Sequence, residues 1–280
     1  MLTLLLCVQF LSAQESDIVE EWIQKDLKAT QLIPDLVKQQ PIDPKVIGKM
    51  IGARYHELPE DLGFDATRID IRQGFGYTGI RVSLFLFKDK IISYRVLLGG
   101  SLSWKKVREK IIGAWKQNVG VPFKENESGI YFEINNPLIL SEYKAFVADE
   151  LGELNNAEIP RSIKADYEYL MSPNRNSVVG KDPCGVAGMI PQGKESIDML
   201  VNSRKIELIE NVLRGYNPGG RVFAMIALLE MKNRGAKLSP DTEKTIRKIA
   251  ETNLKLQVCE GGSISMKTAS QILNDYQLEL

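Results

Sequence analysis

The spacing of apolar residues changes along the chain, and each change predicts a different kind of element. From residue 66 to residue 98, apolar side chains alternate with polar ones, as in strands with one buried face. The apolar positions are Ile69, Ile71, Ile80, Val82, Leu84, Leu86, Ile92, Tyr94, Val96 and Leu98. Short turns separate the three runs, so the pattern predicts an antiparallel meander of three strands.

Helical spacing follows the meander. Ser103 is placed to cap a helix whose apolar residues recur at helical intervals: Trp104, Val107, Ile111, Ile112 and Trp115. Another alternating run near residue 132 predicts a strand, and residues 138–154 predict a second helix. This order of strands and helices indicates an α+β fold, with the helices on one face of the sheet.

Beyond residue 194 the pattern is helical again, which predicts a mainly helical C-terminal region. Residues 222–231 are nearly all apolar, so we expect a buried helix supported by Phe223, Ile226 and Leu229. Ser239 and Pro240 are typical of the start of a further helix. The preceding residues, 173–193, are rich in Gly, Pro and Asn and are predicted to be a linker between the helical region and an α+β domain over residues 15–172.

The first fourteen residues are predicted to be a signal peptide. Residues 2–11 form an apolar run, followed by Ser12, Ala13 and then polar residues. A run of ten residues is too short to cross a bilayer but fits the apolar core of a cleaved signal sequence. A buried N-terminal strand is the alternative. We therefore expect an exported protein, periplasmic or secreted, without a membrane span in the mature chain.

Charge argues against some classes of partner. The 280 residues carry 36 Lys and Arg and 36 Asp and Glu, so no overall field favours nucleic acid or an anionic membrane. Residues 204–255 are locally basic, with 11 Lys and Arg against 6 Asp and Glu. Arg204, Arg214 and Lys232 are candidate residues for binding an acidic partner. The alternative is an ordinary solvated surface.

Two cysteines remain after the predicted cleavage. Cys184 lies in the predicted linker and Cys259 follows the last predicted helix. In an oxidising compartment these two residues are expected to form a disulfide, the alternative being two separate buried thiols. Their spacing matches no zinc-binding pattern, so we assign no metal site.

One segment resembles a known repeat. Two short predicted helices flank the turn Asn217-Pro218, and the second helix opens with Arg221 and continues with Ala224 and Ala227. Residues 204–232 are similar to a HEAT-like helical repeat. In that family the arginine packs or pairs along the solenoid and the small residues allow close helix contact. The resemblance therefore implies an interaction scaffold. No second copy follows at the expected period, so other parts of the chain must cover the pair.

Other motifs do not indicate catalysis. Residues 74–79 spell GxGxxG, but a strand follows them where a dinucleotide site needs a helix, so a hairpin loop is expected. His56 is the only histidine, which excludes sites built from several histidines. We assign no catalytic, cofactor-binding or metal-binding residue. Asn126 begins an N-glycosylation sequon that only a eukaryotic host would use.

The leading hypothesis is an exported, non-catalytic protein that binds another protein or an envelope component, and the chain is similar in general character to exported bacterial proteins of unknown function. A hydrolase that uses acidic residues in a cleft between the two regions is the alternative. A structural role in a larger assembly also stays open. A deep pocket of acids with raised pKa values would favour the enzyme, and an exposed apolar patch would favour the binding protein.

Overall fold

The fold is taken from a computed structural model. The structure describes residues 20–21, 23–25, 27–28, 30–32, 34–35, 44–50, 55–56, 59–75, 78–100, 105–118, 120, 122–126, 129–173, 175, 178–181, 183–184 and 188–280. The predicted signal peptide, residues 1–14, lies outside the described residues.

An antiparallel sheet forms the first part of the fold. Its strands are β1 (Tyr55–His56), β2 (Glu60–Asp61), β3 (Ala66–Phe75), β4 (Thr78–Phe87), β5 (Lys90–Gly100), β6 (Lys124–Asn126) and β7 (Gly129–Asn135). The order across the sheet is β1-β3-β4-β5-β7-β6, with β2 also paired to β3. Neighbouring strands β3, β4 and β5 are the predicted meander, so this prediction is confirmed. Strands flank the GxGxxG segment on both sides, as expected for a hairpin rather than a dinucleotide site.

Helices accompany and follow the sheet. They are α1 (Pro44–Met50), α2 (Lys105–Asn118), α3 (Pro137–Leu151), a 3₁₀ turn (Arg161–Ile163), α4 (Lys164–Met171), α5 (Gln192–Asn202), α6 (Ile206–Leu213), α7 (Pro218–Asn233), α8 (Pro240–Ala250) and α9 (Ala269–Asp275). A hairpin of β8 (Lys255–Glu260) and β9 (Ser263–Thr268) lies between α8 and α9. The predicted α+β class, with a mainly helical C-terminal region, is confirmed.

The chain divides into two compact units. The first holds the described residues up to Pro59, together with Ile69–Leu84 and Ser93–Asn135. The second holds Glu60–Arg68, Phe85–Ile92 and Asn136–Leu280. The division therefore falls within β3, β4 and β5. The domain boundaries expected at residues 172 and 193 separate regions that would fold independently. They stay predictions.

Aromatic side chains organise the core of the first unit. Trp115 of α2 is fully buried, and its ring lies 5.4 Å from that of Phe132 on β7 and 5.3 Å from that of Phe123. Asp70 is buried in the same unit, where Arg81 donates to its two carboxylate oxygens at 3.2 and 2.7 Å. A buried carboxylate is tolerated when it is paired in this way.

The core of the second unit is built around α7. Every residue from Val222 to Leu229 is buried, including Phe223, Ile226 and Leu229, which confirms the predicted burial of this helix. Asn217 caps α7 by accepting a hydrogen bond from the amide of Gly219 at 3.0 Å, and Pro218 occupies the first turn. Strands β4 and β5 supply Phe85, Phe87 and Ile92 to this core.

A disulfide joins Cys184 to Cys259 at the hairpin, with their Cα atoms 5.9 Å apart. Beside it, Val179 forms a parallel bridge with Val258 on β8. Within the part of the chain that the structure describes, no helix has both the length and the apolar character needed to cross a bilayer.

Candidate protein-binding surface

The candidate cations Arg204, Arg214 and Lys232 occupy three different environments. Arg204 follows α5 and is exposed, with a left-handed backbone at φ +58°. Within the described residues its side chain makes no ion pair. Arg204 is therefore available to a partner.

Arg214 is buried, with only 6% of its side chain exposed, so its expected place on the outer surface is wrong. Its Nη2 lies 2.7 Å from Asp241 Oδ2, and its Nη1 donates to the carbonyl of Glu210 at 3.4 Å. The guanidinium packs beside Gly152 at the end of α3. The Asp241 carboxylate and the Glu210 carbonyl, which also accepts from the Arg214 amide at 3.1 Å, hold the side chain inward, because they satisfy donors that would otherwise need water.

Lys232 is about half-exposed at the end of α7, and its Nζ lies 2.8 Å from Glu243 Oε1. This hydrogen bond to Lys232 lowers the pKa of the Glu243 carboxyl group. An exposed ion pair of this kind is weak and breaks readily, so Lys232 can exchange Glu243 for an acidic group of a partner.

A surface groove lies between α5 and α7, with a volume of about 310 Å³. Apolar side chains line it, namely Ile197 and Val201 from α5 and Ile226 and Met231 from α7. Charged pairs stand on its rim, Lys194 with Asp198 at 2.5 Å and Glu230 with Arg234 at 3.9 Å. This volume is at the lower end of the range for small-molecule pockets, and the groove is large enough to accept apolar side chains of a partner.

The two helices that form the groove approach each other closely near their starts. Gly193, near the start of α5, lies against the ring of Phe223 near the start of α7, where a Cβ atom would approach Phe223 Cε2 to 2.2 Å. The short helix α6 returns between them. Arg204 follows the end of α5 and Lys232 lies in the last turn of α7, but neither residue lines the groove, whose lining cations are Lys194 and Arg234.

A second, polar cleft of about 750 Å³ is lined by Asp61, Asp65, Asp89 and Glu251. Lys88 is 3.9 Å from Asp65, and the amide of Gly63 donates to Asp61 at 2.9 Å. Asp61 and Asp65 are thus engaged in a hydrogen bond and an ion pair, as acids on a solvated surface usually are. Among the described residues, no three metal-binding side chains converge.

The backbone beside this cleft is unusual. Gly63, Phe64 and Asp65 all have positive φ, at 71°, 54° and 55°. The Phe64 ring lies 4.8 Å from the guanidinium carbon of Arg221, which is buried and holds the ring by a cation–π contact. Left-handed backbone at a bulky residue costs energy that such contacts must offset.

Acids with shifted pKa values lie elsewhere on the surface. Hydrogen bonds from Lys110, Lys25 and Lys232 lower the pKa values of Glu20, Glu21 and Glu243, respectively. A general acid needs a raised pKa instead. These shifts indicate surface ion pairs rather than catalysis.

An exposed apolar patch surrounds the disulfide. Met189 is 69% exposed and pairs with Cys184, while Ile264 is 60% exposed and pairs with Cys259 on the neighbouring strand. Ile190 and Met266 extend the patch along the loop and along β9. Sequence reasoning missed this surface. The sequence feature that could have revealed it is the pair Gly261-Gly262 between two alternating runs, a pattern that is typical of a β-hairpin.

Comparisons with known protein families, curated proteins and solved structures found no match to this chain. A functional proposal therefore depends on the surfaces described above. The patch beside the disulfide is apolar and exposed, whereas the groove between α5 and α7 is lined by mostly buried apolar side chains together with charged ones. The predicted cations Arg204 and Lys232 lie at the ends of the same two helices.

Proposed function

We propose that this chain is an exported, non-catalytic protein that binds another protein or an envelope component through the groove between α5 and α7. The observation that carries the proposal is a groove lined by apolar side chains such as Val201 and Met231, formed by two helices that carry the cations Arg204 and Lys232 at their ends. Enclosed apolar contacts supply affinity in such a site, and charges at the rim supply orientation and rate of encounter.

The geometry selects a chemistry for the partner. Apolar side chains of the partner occupy the groove, and acidic groups farther along the partner meet Arg204 and Lys232 at the ends of α5 and α7. Arg234 lies close to the same end of α7, and its weak pair with Glu230 leaves it able to join them. A partner segment with adjacent apolar and acidic residues fits this surface.

The helix pair α6–α7 supports the interpretation as a HEAT-like unit. Asn217 and Pro218 form the expected turn, and Ala224 and Ala227 are buried where small residues allow close packing. One such pair cannot bury its own apolar face, and in this chain α5 and α8 pack beside it. We propose that the pair is a scaffold for the groove.

Export rests on the apolar run at residues 2–11 and agrees with the disulfide, because disulfides persist in oxidising compartments. Intact-mass analysis of protein from the native host tests this part. A mature chain beginning at Gln14 or Glu15 is expected, and a cytoplasmic product that retains Met1 would contradict it.

Charge reversal at the groove tests the binding proposal. The double variant Arg204→Glu/Lys232→Glu should reduce partner capture from host envelope extract at least about tenfold, since it replaces two attractive charges by repulsive ones. Arg214 is left unchanged because it is buried and paired. The matched control is Arg161→Glu/Lys255→Glu, which makes the same charge change at two exposed positions on other elements.

Both variants should melt within a few degrees of the wild type, because the substituted side chains are exposed. Equal capture by the two variants would contradict a role for Arg204 and Lys232. A hydrolytic activity that is lost with Asp61→Asn or Asp65→Asn would favour the enzyme alternative instead.

A further inference from the structure

The hairpin β8–β9 leaves one strand edge open. Within the described part of the chain, β8 has neighbours on both sides, β9 on one and Val179 on the other. β9 pairs only with β8, and no described backbone group hydrogen bonds to its outer edge. An open edge carrying apolar side chains is a template for pairing with another strand.

The contacts of Val179 identify which groups of β9 are free. Val179 donates to the carbonyl of Gln257 at 2.9 Å and accepts from the amide of Cys259 at 2.8 Å. The backbone groups of Gln257 and Cys259 therefore point away from β9. Because antiparallel pairs alternate, their partners on β9, Met266 and Ile264, point their N–H and C=O groups outward.

The residues with free backbone groups also carry the exposed apolar side chains. Ile264 is 60% exposed and Met266 is 44% exposed, and both lie on one face of the strand. The next outward-pointing amide, that of Thr268, is already capped by Gln271 at 2.9 Å. The open edge is thus a short segment with two donors and two acceptors centred on Ser265.

We propose that this edge pairs with the same edge of a second copy of the chain, antiparallel and with a two-fold axis at Ser265. In this register Ile264 lies opposite Met266 of the second copy, and Met266 lies opposite its Ile264. Both are hydrogen-bonded pairs, so the four free N–H groups of the two copies meet the four free C=O groups. The same register places two apolar Ile–Met pairs side by side on one face.

Charge does not oppose this register. An antiparallel two-fold places Ser263 of each copy opposite Lys267 of the other. Within one copy, Lys267 already pairs with Glu260 on β8 and with Asp275 at 2.7 and 2.8 Å, so no uncompensated like charges meet.

The contact is short, and a single pair of edge strands buries less area than a stable obligate interface needs. The dimer is therefore expected to be reversible. The dimer contact involves none of the groove residues, so its test is independent of the test of the proposed function.

Sedimentation of the full chain over a range of concentrations tests the proposal. The wild type should shift reversibly from monomer towards dimer, and Met266→Lys should abolish the shift, because it sets two like charges in the paired face. Met199→Lys is the matched control, since Met199 on α5 has the same 44% exposure. It should dimerise as the wild type does.

A cysteine substitution in β9 tests the register of the proposed pairing. Ser265→Cys should form an intermolecular disulfide under mild oxidation, because residues facing each other in a non-hydrogen-bonded pair have Cα atoms about 4.5 Å apart. Ser263→Cys, in the same strand and equally exposed, should cross-link at least about tenfold less. Peptide mapping without reduction separates the new bond from Cys184–Cys259.

Three results would overturn the proposal. They are a monomeric wild type at every concentration, dimerisation that survives Met266→Lys, and cross-linking at residue 263 that equals that at residue 265. A wild type that stays monomeric but binds an extended peptide at β9 would show that the edge serves a different occupant.

Discussion

The guanidinium of Arg221 donates from Nη2 to the hydroxyl of Tyr143 at 2.9 Å, which joins α7 to α3 in the interior of the second unit. The Tyr143 hydroxyl in turn donates a hydrogen bond to the carbonyl of Tyr216 at 3.1 Å, and Arg221 Nε donates to the carbonyl of Gly215 at 2.7 Å. Among the described residues, no carboxylate neutralises Arg221, and its Nη1 has no hydrogen-bond partner. The turn between α6 and α7 is therefore held by carbonyl and phenol acceptors.

Tyr143→Phe should destabilise the protein more than the loss of one hydroxyl normally does. It removes an acceptor from a buried cation and a donor from the carbonyl of Tyr216. We expect the free energy of unfolding to fall by about 2–3 kcal/mol. Chemical denaturation measures this. Tyr131→Phe is the control, since the Tyr131 ring keeps its contact with Arg95 at 4.1 Å and the change should stay within about 0.5 kcal/mol.

Gly220→Ala should also be costly, because α7 begins directly against the end of α4. A Cβ atom at residue 220 would lie 2.1 Å from the carbonyl oxygen of Leu170. We expect a loss of at least about 2 kcal/mol. Gly113→Ala, in α2, has no atom within 4 Å of the new Cβ and should instead stabilise by about 0.5 kcal/mol. Equal effects of the two substitutions would contradict the close packing of α4 on α7.

The disulfide between Cys184 and Cys259 closes a loop with a sequence separation of 75 residues. Replacing both residues by Ser should lower the free energy of unfolding by about 4 kcal/mol, because the unfolded chain gains conformational freedom. Thermal melting with and without reductant checks this. Ready alkylation of both thiols in unreduced protein from the host would refute the bond.

Acidification should remove the contribution of the pair between Lys232 and Glu243. The pair lowers the pKa of Glu243, so its stabilisation is present above the ordinary carboxyl value of 4.5 and is lost as pH falls through the lowered value. Lys232→Met should therefore melt slightly below the wild type at pH 7, and this difference should shrink as the pH is lowered below 4.5. A difference that is independent of pH would contradict the assignment.

The spacing of apolar residues and the helix-capping residues account for the part of the fold that the sequence predicts correctly. Alternation marked β3 to β5, and the dense apolar run from Val222 to Met231 marked a buried helix. The β8–β9 hairpin was missed because its apolar residues point to two faces, with Leu256 and Val258 buried and Ile264 and Met266 exposed. Runs of this kind do not show which face will be covered.

The candidate site was less accessible to sequence reasoning. The sequence predicts an exposed Arg214 on the outer side of the helix pair, but Asp241, 27 positions along the chain, holds it inside. The groove depends on Gly193 allowing α5 to approach Phe223. A pattern of apolar positions along the chain cannot specify such a contact between two helices.

The most direct measurement of the central claim is site-specific photo-crosslinking from the groove. A photoreactive side chain at Asn202, which is exposed and lines the groove, should give one discrete adduct in host envelope extract. The same group at exposed Ser141 on α3 should give none, and Arg204→Glu/Lys232→Glu should remove the adduct at residue 202. Identical adducts from both positions, or an adduct that persists in the double variant, would contradict binding through the groove.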